Sequence, residues 1–391
     1  MNYPLCDNPW DQKEKDAIFS VMCTDRYTMG ENVYAMEKAF AEKMGSQYAV
    51  MVNSGSSANL LAIAALCYSG RLCRGDEVVV PAVSWSTTYA PLQQFGLKAV
   101  FVDINKDTLN MDVEALGRVI TDSTRMIFAV NLLGNPNDFD AIQTLIAGRN
   151  ILLIEDNCES LGAVYKGRAS GSIGLLGTYS SFYSHHICTM EGGFVVTNDQ
   201  QLYEYMLAIR AHGWTRNLPK NASIYTKNSD PFYESFNFIV PGFNLRPLEM
   251  EAAIGLEQLK KMKGMIEQRR KNAAYFLKRM AEFPEFRCQK ETGESSWFGF
   301  SVVLTGSLSG KRGLLIEAMR AAEIETRPIV AGNFTRNSVI RYMDYTIPEA
   351  LTNADELHEN GFFVGNHTRD NHAEVDYFAS VMHETLDKER A

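Results

Sequence analysis

The sequence predicts an α/β protein: a large, mostly parallel sheet covered by helices on both faces, followed by a smaller α+β unit. Three observations carry this. Up to about residue 200, short β-branched runs alternate with amphipathic stretches, the pattern of strands buried on both faces. Residues 247–282 then read as one helical run, long enough for a helix pair bridging two lobes, with a weak point at Gly264. Beyond it a strand–helix–strand pattern resumes.

In chain order, strands are expected at 48–52, 77–80, 99–102, 126–130 and 151–154, with helices at 58–66, 113–120 and 141–147 between them. Two more strands, 178–183 and 194–197, follow a glycine-rich stretch. After the long helix come a strand at 297–304, a helix at 311–322 and a strand at 325–330. The 391 residues, 46% of them hydrophobic, permit one large or two linked domains. The expected division is a large domain over 1–255 and a small one over 256–391.

A net charge of −9 gives no general electrostatic reason to bind nucleic acid or an anionic membrane. No apolar run reaches membrane-spanning length. The stretch MNYPLCDNPWDQKEKD lacks the basic and apolar regions of a signal peptide. Seven scattered cysteines without a CxxC suggest a reduced, cytoplasmic protein that uses cysteine as a small hydrophobe.

Four segments carry possible chemistry. NSGSSAN at 53–59 lies between a strand and a helix, where small residues, free N–H groups and hydroxyls suit a phosphate; an ordinary N-cap turn reads equally well. EDNCES at 155–160 ends an apolar strand, where ligands of open α/β sheets gather, although a solvated acidic loop has the same composition. Trp85 follows another apolar strand, placed either to stack on a planar ring or to pack in the core. His185 and His186 lie in SSFYSHH at 180–186. Neighbours on an extended chain point to opposite faces, and no second ligand motif accompanies them, so no metal site is expected. A buried structural pair remains the plain alternative.

Taken in order, 53–59, 81–88 (PAVSWSTT), 155–160, 162–174 (GAVYKGRASGSIG), 180–193 and 241–247 (PGFNLRP) resemble the DegT/DnrJ/EryC1/StrS family of nucleotide-sugar aminotransferases and dehydratases. The resemblance covers nearly the whole chain. It implies the aspartate-aminotransferase fold and a pyridoxal 5'-phosphate or pyridoxamine 5'-phosphate cofactor. It further implies that Gly55, Ser56, Ser57 and Ser180 hold the cofactor phosphate and that Trp85 stacks on the ring. Asp156 would pair with the ring nitrogen, and Glu159 would sit near the ring hydroxyl. Asn244 would reach the cofactor site of the neighbouring subunit in a two-fold dimer.

The departure is at the family lysine, which lies five residues after the phosphate-binding serine and six before the acidic residue of the Gly-Gly motif. Counting from Ser180 and back from Glu191 both give His185. No lysine occurs between Lys166 and Lys220. An imidazole cannot make the covalent link to the cofactor aldehyde that a lysine makes, but it can carry protons. With AHGWTRNLPK at 211–220, this resembles a branch that removes the C3 hydroxyl of GDP-4-keto-6-deoxy-D-mannose, with glutamate as amino donor. His212, Arg216, Arg246 and Arg327 are the candidate substrate contacts, since guanidinium forks suit pyrophosphate and carboxylate. The competing readings are a sugar aminotransferase, a CDP-sugar 3-dehydrase with an iron–sulfur partner, and a non-catalytic regulator on the same fold.

Overall fold

The computed structural model describes residues 1–390. Fourteen strands appear in chain order: β1 (Tyr48–Val52), β2 (Glu77–Pro81), β3 (Lys98–Val102), β4 (Thr124–Val130), β5 (Leu152–Asp156), β6 (Val164–Tyr165), β7 (Arg168–Ala169), β8 (Leu176–Ser180), β9 (Gly193–Thr197), β10 (Phe286–Cys288), β11 (Gly299–Leu304), β12 (Thr326–Arg327), β13 (Tyr345–Thr346) and β14 (Gly361–Gly365). Eight of them form one sheet in the order β1-β9-β8-β5-β4-β2-β3-β13. From β8 to β13 every pairing is parallel, and β9 alone runs against both its neighbours. A four-stranded antiparallel sheet, β10-β11-β14-β12, is built entirely from later residues.

Alternation explains why the large sheet is buried on both faces. Val50 and Val52 face a core shared with Leu61 and Leu66 of the helix Gly55–Tyr68, whereas Ala49 and Met51 face Phe40 and Ala252 on the other side. The helix Glu249–Met280 runs unbroken through Gly264, which is exposed and where an added Cβ would meet nothing within 4 Å. One exposed glycine costs about 1 kcal/mol, too little to break a helix packed along its length. That helix packs on the helices Gln12–Met22 and Glu31–Met44, which the apolar pattern does not announce.

Three expected strands differ in the structure: that expected at 178–183 is β8, which starts at Leu176 and stops at Ser180, and two others are shorter. Trp297 has φ +47°, so β11 begins only at Gly299. β12 is confined to Thr326–Arg327 because Pro328 has no N–H to extend a ladder. β13, from the C-terminal third of the chain, joins the edge of the large sheet. Among the described residues no helix is long and apolar enough to cross a membrane.

Candidate active site

The carboxyl ends of β4, β5 and β8 open into a cavity of about 650 Å³. Its floor and walls include Gly55, Ser56, Trp85, Asp156, Glu159, Ser180 and His185. Four stretches far apart in sequence thus meet at the position where open parallel sheets bind ligands.

The helix Gly55–Tyr68 begins at this cavity. Ser54 caps it, its hydroxyl accepting from the Ser57 N–H at 3.0 Å. The first-turn N–H groups of Gly55 and Ser56 have no intrahelical acceptor, and the helix dipole favours an anion there. Glycine is required at 55: a Cβ would come within 2.6 Å of the Ser180 Cβ and 2.9 Å of the Cys158 Sγ. Gly193 is equally constrained, since a Cβ would lie 2.3 Å from the Ser54 carbonyl. The close approach brings the Ser180 hydroxyl beside the helix start. Ser57 behaves differently from its neighbours. Its hydroxyl donates to Asn53 Oδ1 at 2.6 Å and it does not line the cavity.

Asp156, at the end of β5, is 5% exposed. Its Oδ2 accepts from Asn59 Nδ2 at 2.8 Å and from the Thr88 hydroxyl at 2.8 Å, and its Oδ1 accepts from the Cys158 N–H at 3.1 Å. Asn59 lies four residues after Gly55 on one helix, so the turn that offers N–H groups also orients the carboxylate. Trp85 precedes the helix Ser86–Phe95 and is 58% exposed, which leaves a ring face free at the cavity. Glu159 accepts from the Leu133 N–H at 3.0 Å. Burial, reinforced by the Asp156 charge and opposed by that hydrogen bond, pushes its carboxyl up to about 7.

The two histidines separate cleanly. His186 is fully buried, with Nε2 3.2 Å from the Ser296 carbonyl, and it does not line the cavity. His185 does, its ring edge-on to Phe298 with centroids 5.0 Å apart. Burial first, and the Arg269 cation second, push the His185 imidazole down to about 4, so it is a neutral base at neutral pH. Its Nδ1 is enclosed without a hydrogen-bond partner.

Of the expected substrate contacts, only Arg327 lines this cavity. His212, Arg216, Asn244 and Arg246 lie on two paired segments elsewhere: Ala211 pairs with Asn244, Trp214 with Phe238, and the His212 N–H donates to the Phe243 carbonyl at 2.7 Å. Arg246 Nε donates to Asn244 Oδ1 at 3.0 Å, and Asn244, His212 and Arg216 are exposed. Sequence reasoning misses several wall residues. Leu5 and Cys6 enter from the N-terminal strap, and Phe298 and Phe363 from the antiparallel-sheet region. None belongs to a local motif.

A donor cluster of N–H groups and hydroxyls, an oriented carboxylate and an open aromatic face fit a phosphorylated, protonatable aromatic cofactor. The comparisons agree with that chemistry. The DegT/DnrJ/EryC1/StrS aminotransferase family model matches residues 9–383. A GDP-4-keto-6-deoxy-D-mannose 3-dehydratase of Escherichia coli O55:H7 is 54% identical over 98% of this chain and 100% of its own. A histidine-to-asparagine variant of GDP-4-keto-6-deoxymannose-3-dehydratase with bound GDP-perosamine superposes with TM-score 0.96 at 54% identity, over 97% of this chain and 100% of that one. A structure of that enzyme with a trapped PLP–glutamate geminal diamine gives TM-score 0.95 at 55% identity, over 97% and 100%. The chain belongs to the DegT/DnrJ/EryC1/StrS aminotransferase family.

Proposed function

We propose that this family member is a pyridoxal-phosphate-dependent 3-dehydratase that converts GDP-4-keto-6-deoxy-D-mannose to GDP-4-keto-3,6-dideoxy-D-mannose, consuming glutamate and releasing 2-oxoglutarate and ammonia. One observation carries the reading: His185 lines the cavity with Asp156, Ser180 and Trp85, and no lysine among the described residues does. An aminotransferase needs a lysine amine to release an amino sugar; a dehydratase needs only a proton carrier.

Gly55, Ser56 and Ser180 hold the cofactor phosphate through N–H and hydroxyl groups, while Ser57 secures the turn that presents them. Trp85 covers one ring face. Asp156, fixed by Asn59 and Thr88, keeps the ring nitrogen protonated. Glu159, its carboxyl pushed up to about 7, meets the ring hydroxyl. Pyridoxal phosphate, once loaded with nitrogen from glutamate, supplies an electron sink next to the sugar ketone. His185 does the proton work. It is neutral at rest, takes a proton at Nε2 because Nδ1 is enclosed, and returns it to the departing C3 hydroxyl as water forms. Phe298 and Phe182 flank the imidazole edge-on and limit its rotation.

The active unit is a homodimer in which Asn244 reaches the neighbouring cofactor site. Charge supports this. Asp156, Glu159, Glu191 and Glu325 line the cavity with Arg327 as its one guanidinium among the described residues, a poor setting for a diphosphate. The exposed Arg216 and the half-buried Arg246, on the same paired segments as Asn244, complete the partner's cavity. Residues 1–255 form the cofactor domain and 256–391 the small one, with β13 crossing back; residue 391 lies outside the described residues.

A substitution tests the site. After borohydride treatment, His185→Lys acquires a covalent cofactor adduct by mass, and the unaltered protein does not. An adduct on the unaltered chain moves the reactive residue elsewhere.

A further inference from the structure

We propose that Arg269 is a positioning residue for His185: it fixes the turn at 296–298 on which the imidazole rests and sets an unneutralised positive charge behind it. The inference rests on His185 being the proton carrier.

Arg269 lies in the middle of the helix Glu249–Met280 and is 2% exposed. Its Nη1 donates to the carbonyls of Asn366 at 2.7 Å, Phe298 at 3.1 Å and, at the limit of hydrogen-bonding distance, Trp297 at 3.5 Å. Its Nε is buried without a partner. The acidic groups that act on it are Asp7 and Cys6 of the N-terminal strap, and Asp7 is already committed to the Thr368 N–H at 3.0 Å and hydroxyl at 2.6 Å. An arginine buried among carbonyls, without a carboxylate of its own, is costly. Burial pulls it down to about 10, which still leaves it charged at neutral pH.

What it grips is strained. Trp297 holds φ +47°, an uncommon conformation for a bulky side chain, and strain of this kind persists only when its surroundings over-determine it. The Trp297 carbonyl also accepts from Asn366 Nδ2 at 2.8 Å, its N–H donates to Ser295 Oγ at 3.0 Å, and its indole N–H donates to Glu291 at 2.9 Å. The residues flanking this turn meet both histidines. Ser296 offers its carbonyl to His186, and the Phe298 ring lies 5.0 Å from the His185 ring and 5.7 Å from that of His186. Arg269 therefore gathers the backbone on which the proton carrier sits.

Charge gives the second half of the role. Asp156, Glu159, Glu191, Glu325, Arg327, Cys6 and Tyr183 share the cavity with His185, and His186 adjoins it. Arg269 is nevertheless the charge that registers on both imidazoles, in the direction that keeps them neutral. A neutral His185 is a competent base. Once protonated it is repelled by the guanidinium, which favours handing the proton on.

The test uses cofactor-free protein with isotope-labelled histidine, followed by NMR from pH 8 to 4, with the His185 signal assigned through His185→Asn. In the unaltered protein His185 stays neutral to below pH 5. In Arg269→Gln its midpoint rises by ~0.5 pH unit or more as the charge is removed. Arg269→Lys retains the charge and the low midpoint, but its shorter ammonium no longer gathers the three carbonyls that Nη1 holds together; the His185–Phe298 contact weakens and kcat falls about 10- to 100-fold with KM little changed. Titration of His185 near 6.5 in the unaltered protein, or an unchanged midpoint in Arg269→Gln, overturns the proposal. If Arg269→Gln does not fold, Arg269→Lys decides, and a parental ring contact with parental kcat overturns it. A wrong assignment of the reaction would alter the product and leave these titrations as stated.

Discussion

Lowering the pH tests the His185 environment without any substrate. In the folded protein its imidazole lies at about 4, against about 6.5 in an unfolded chain. Because the folded value is depressed, the unfolded state binds more protons throughout this window. The stability contributed by neutral His185 is therefore fully present above pH 6.5 and is lost as the pH falls through 4. At about 1.36 kcal/mol for each tenfold change in proton affinity, the gap amounts to about 3 kcal/mol. The ring opens on a cavity, where solvent relaxes part of this, so roughly 1–3 kcal/mol is expected. The assay is urea unfolding of the cofactor-free parent and of His185→Asn at half-unit steps from pH 8 to 4. His186 is present in both proteins, so its own titration cancels apart from its coupling to His185. The parent-minus-variant difference is flat above about pH 7 and declines by that amount toward pH 4. A difference that stays flat, or that rises as the pH falls, refutes the assignment of a half-buried, neutral imidazole.

Other substitutions separate binding, folding and proton transfer. Gly55→Ala drives a methyl group against Ser180 and Cys158, costs about 1–3 kcal/mol and loosens the cofactor, which thermal unfolding with and without pyridoxal phosphate will show. Trp85→Ala leaves stability within about 0.5 kcal/mol because the ring is 58% exposed. Its cofactor affinity, measured by absorbance titration, falls by about 0.5–1.5 kcal/mol. His186→Asn loses the bond to the Ser296 carbonyl and destabilises by roughly 1–3 kcal/mol, with kcat largely kept in the folded fraction. His185→Asn reverses that pattern: near-parental folding at pH 8, and a rate lower by about 10²–10⁴.

Much of this site was legible in the sequence because its parts are local. A glycine-serine turn before a helix, an acidic strand end, and fixed spacings to Ser180 and Glu191 are short-range signals, and they place His185 rather than His186 in the cavity. Ser57 shows where such reading stops. It shares the turn with Gly55 and Ser56, but whether its hydroxyl faces the ligand or Asn53 depends on side-chain rotation. Leu5, Cys6 and Phe363 reach the cavity only through tertiary packing, as does Arg269 in reaching the turn behind His185, and no periodicity encodes it. The strand ends misjudged at 297 and 328 have backbone causes, a left-handed tryptophan and a proline. The continuous helix through Gly264 shows packing overriding a local propensity.

In the proposed reaction oxygen leaves C3 while no nitrogen stays on the sugar. The most direct measurement is to incubate the protein with pyridoxal phosphate, glutamate and GDP-4-keto-6-deoxy-D-mannose, then to weigh the nucleotide sugar by mass spectrometry and assay ammonia. The expected product is a 3,6-dideoxy keto sugar, with ammonia and 2-oxoglutarate released in equal amounts and no reductase added. An amino sugar that retains its C3 hydroxyl, or turnover only with an iron–sulfur reductase, would contradict it.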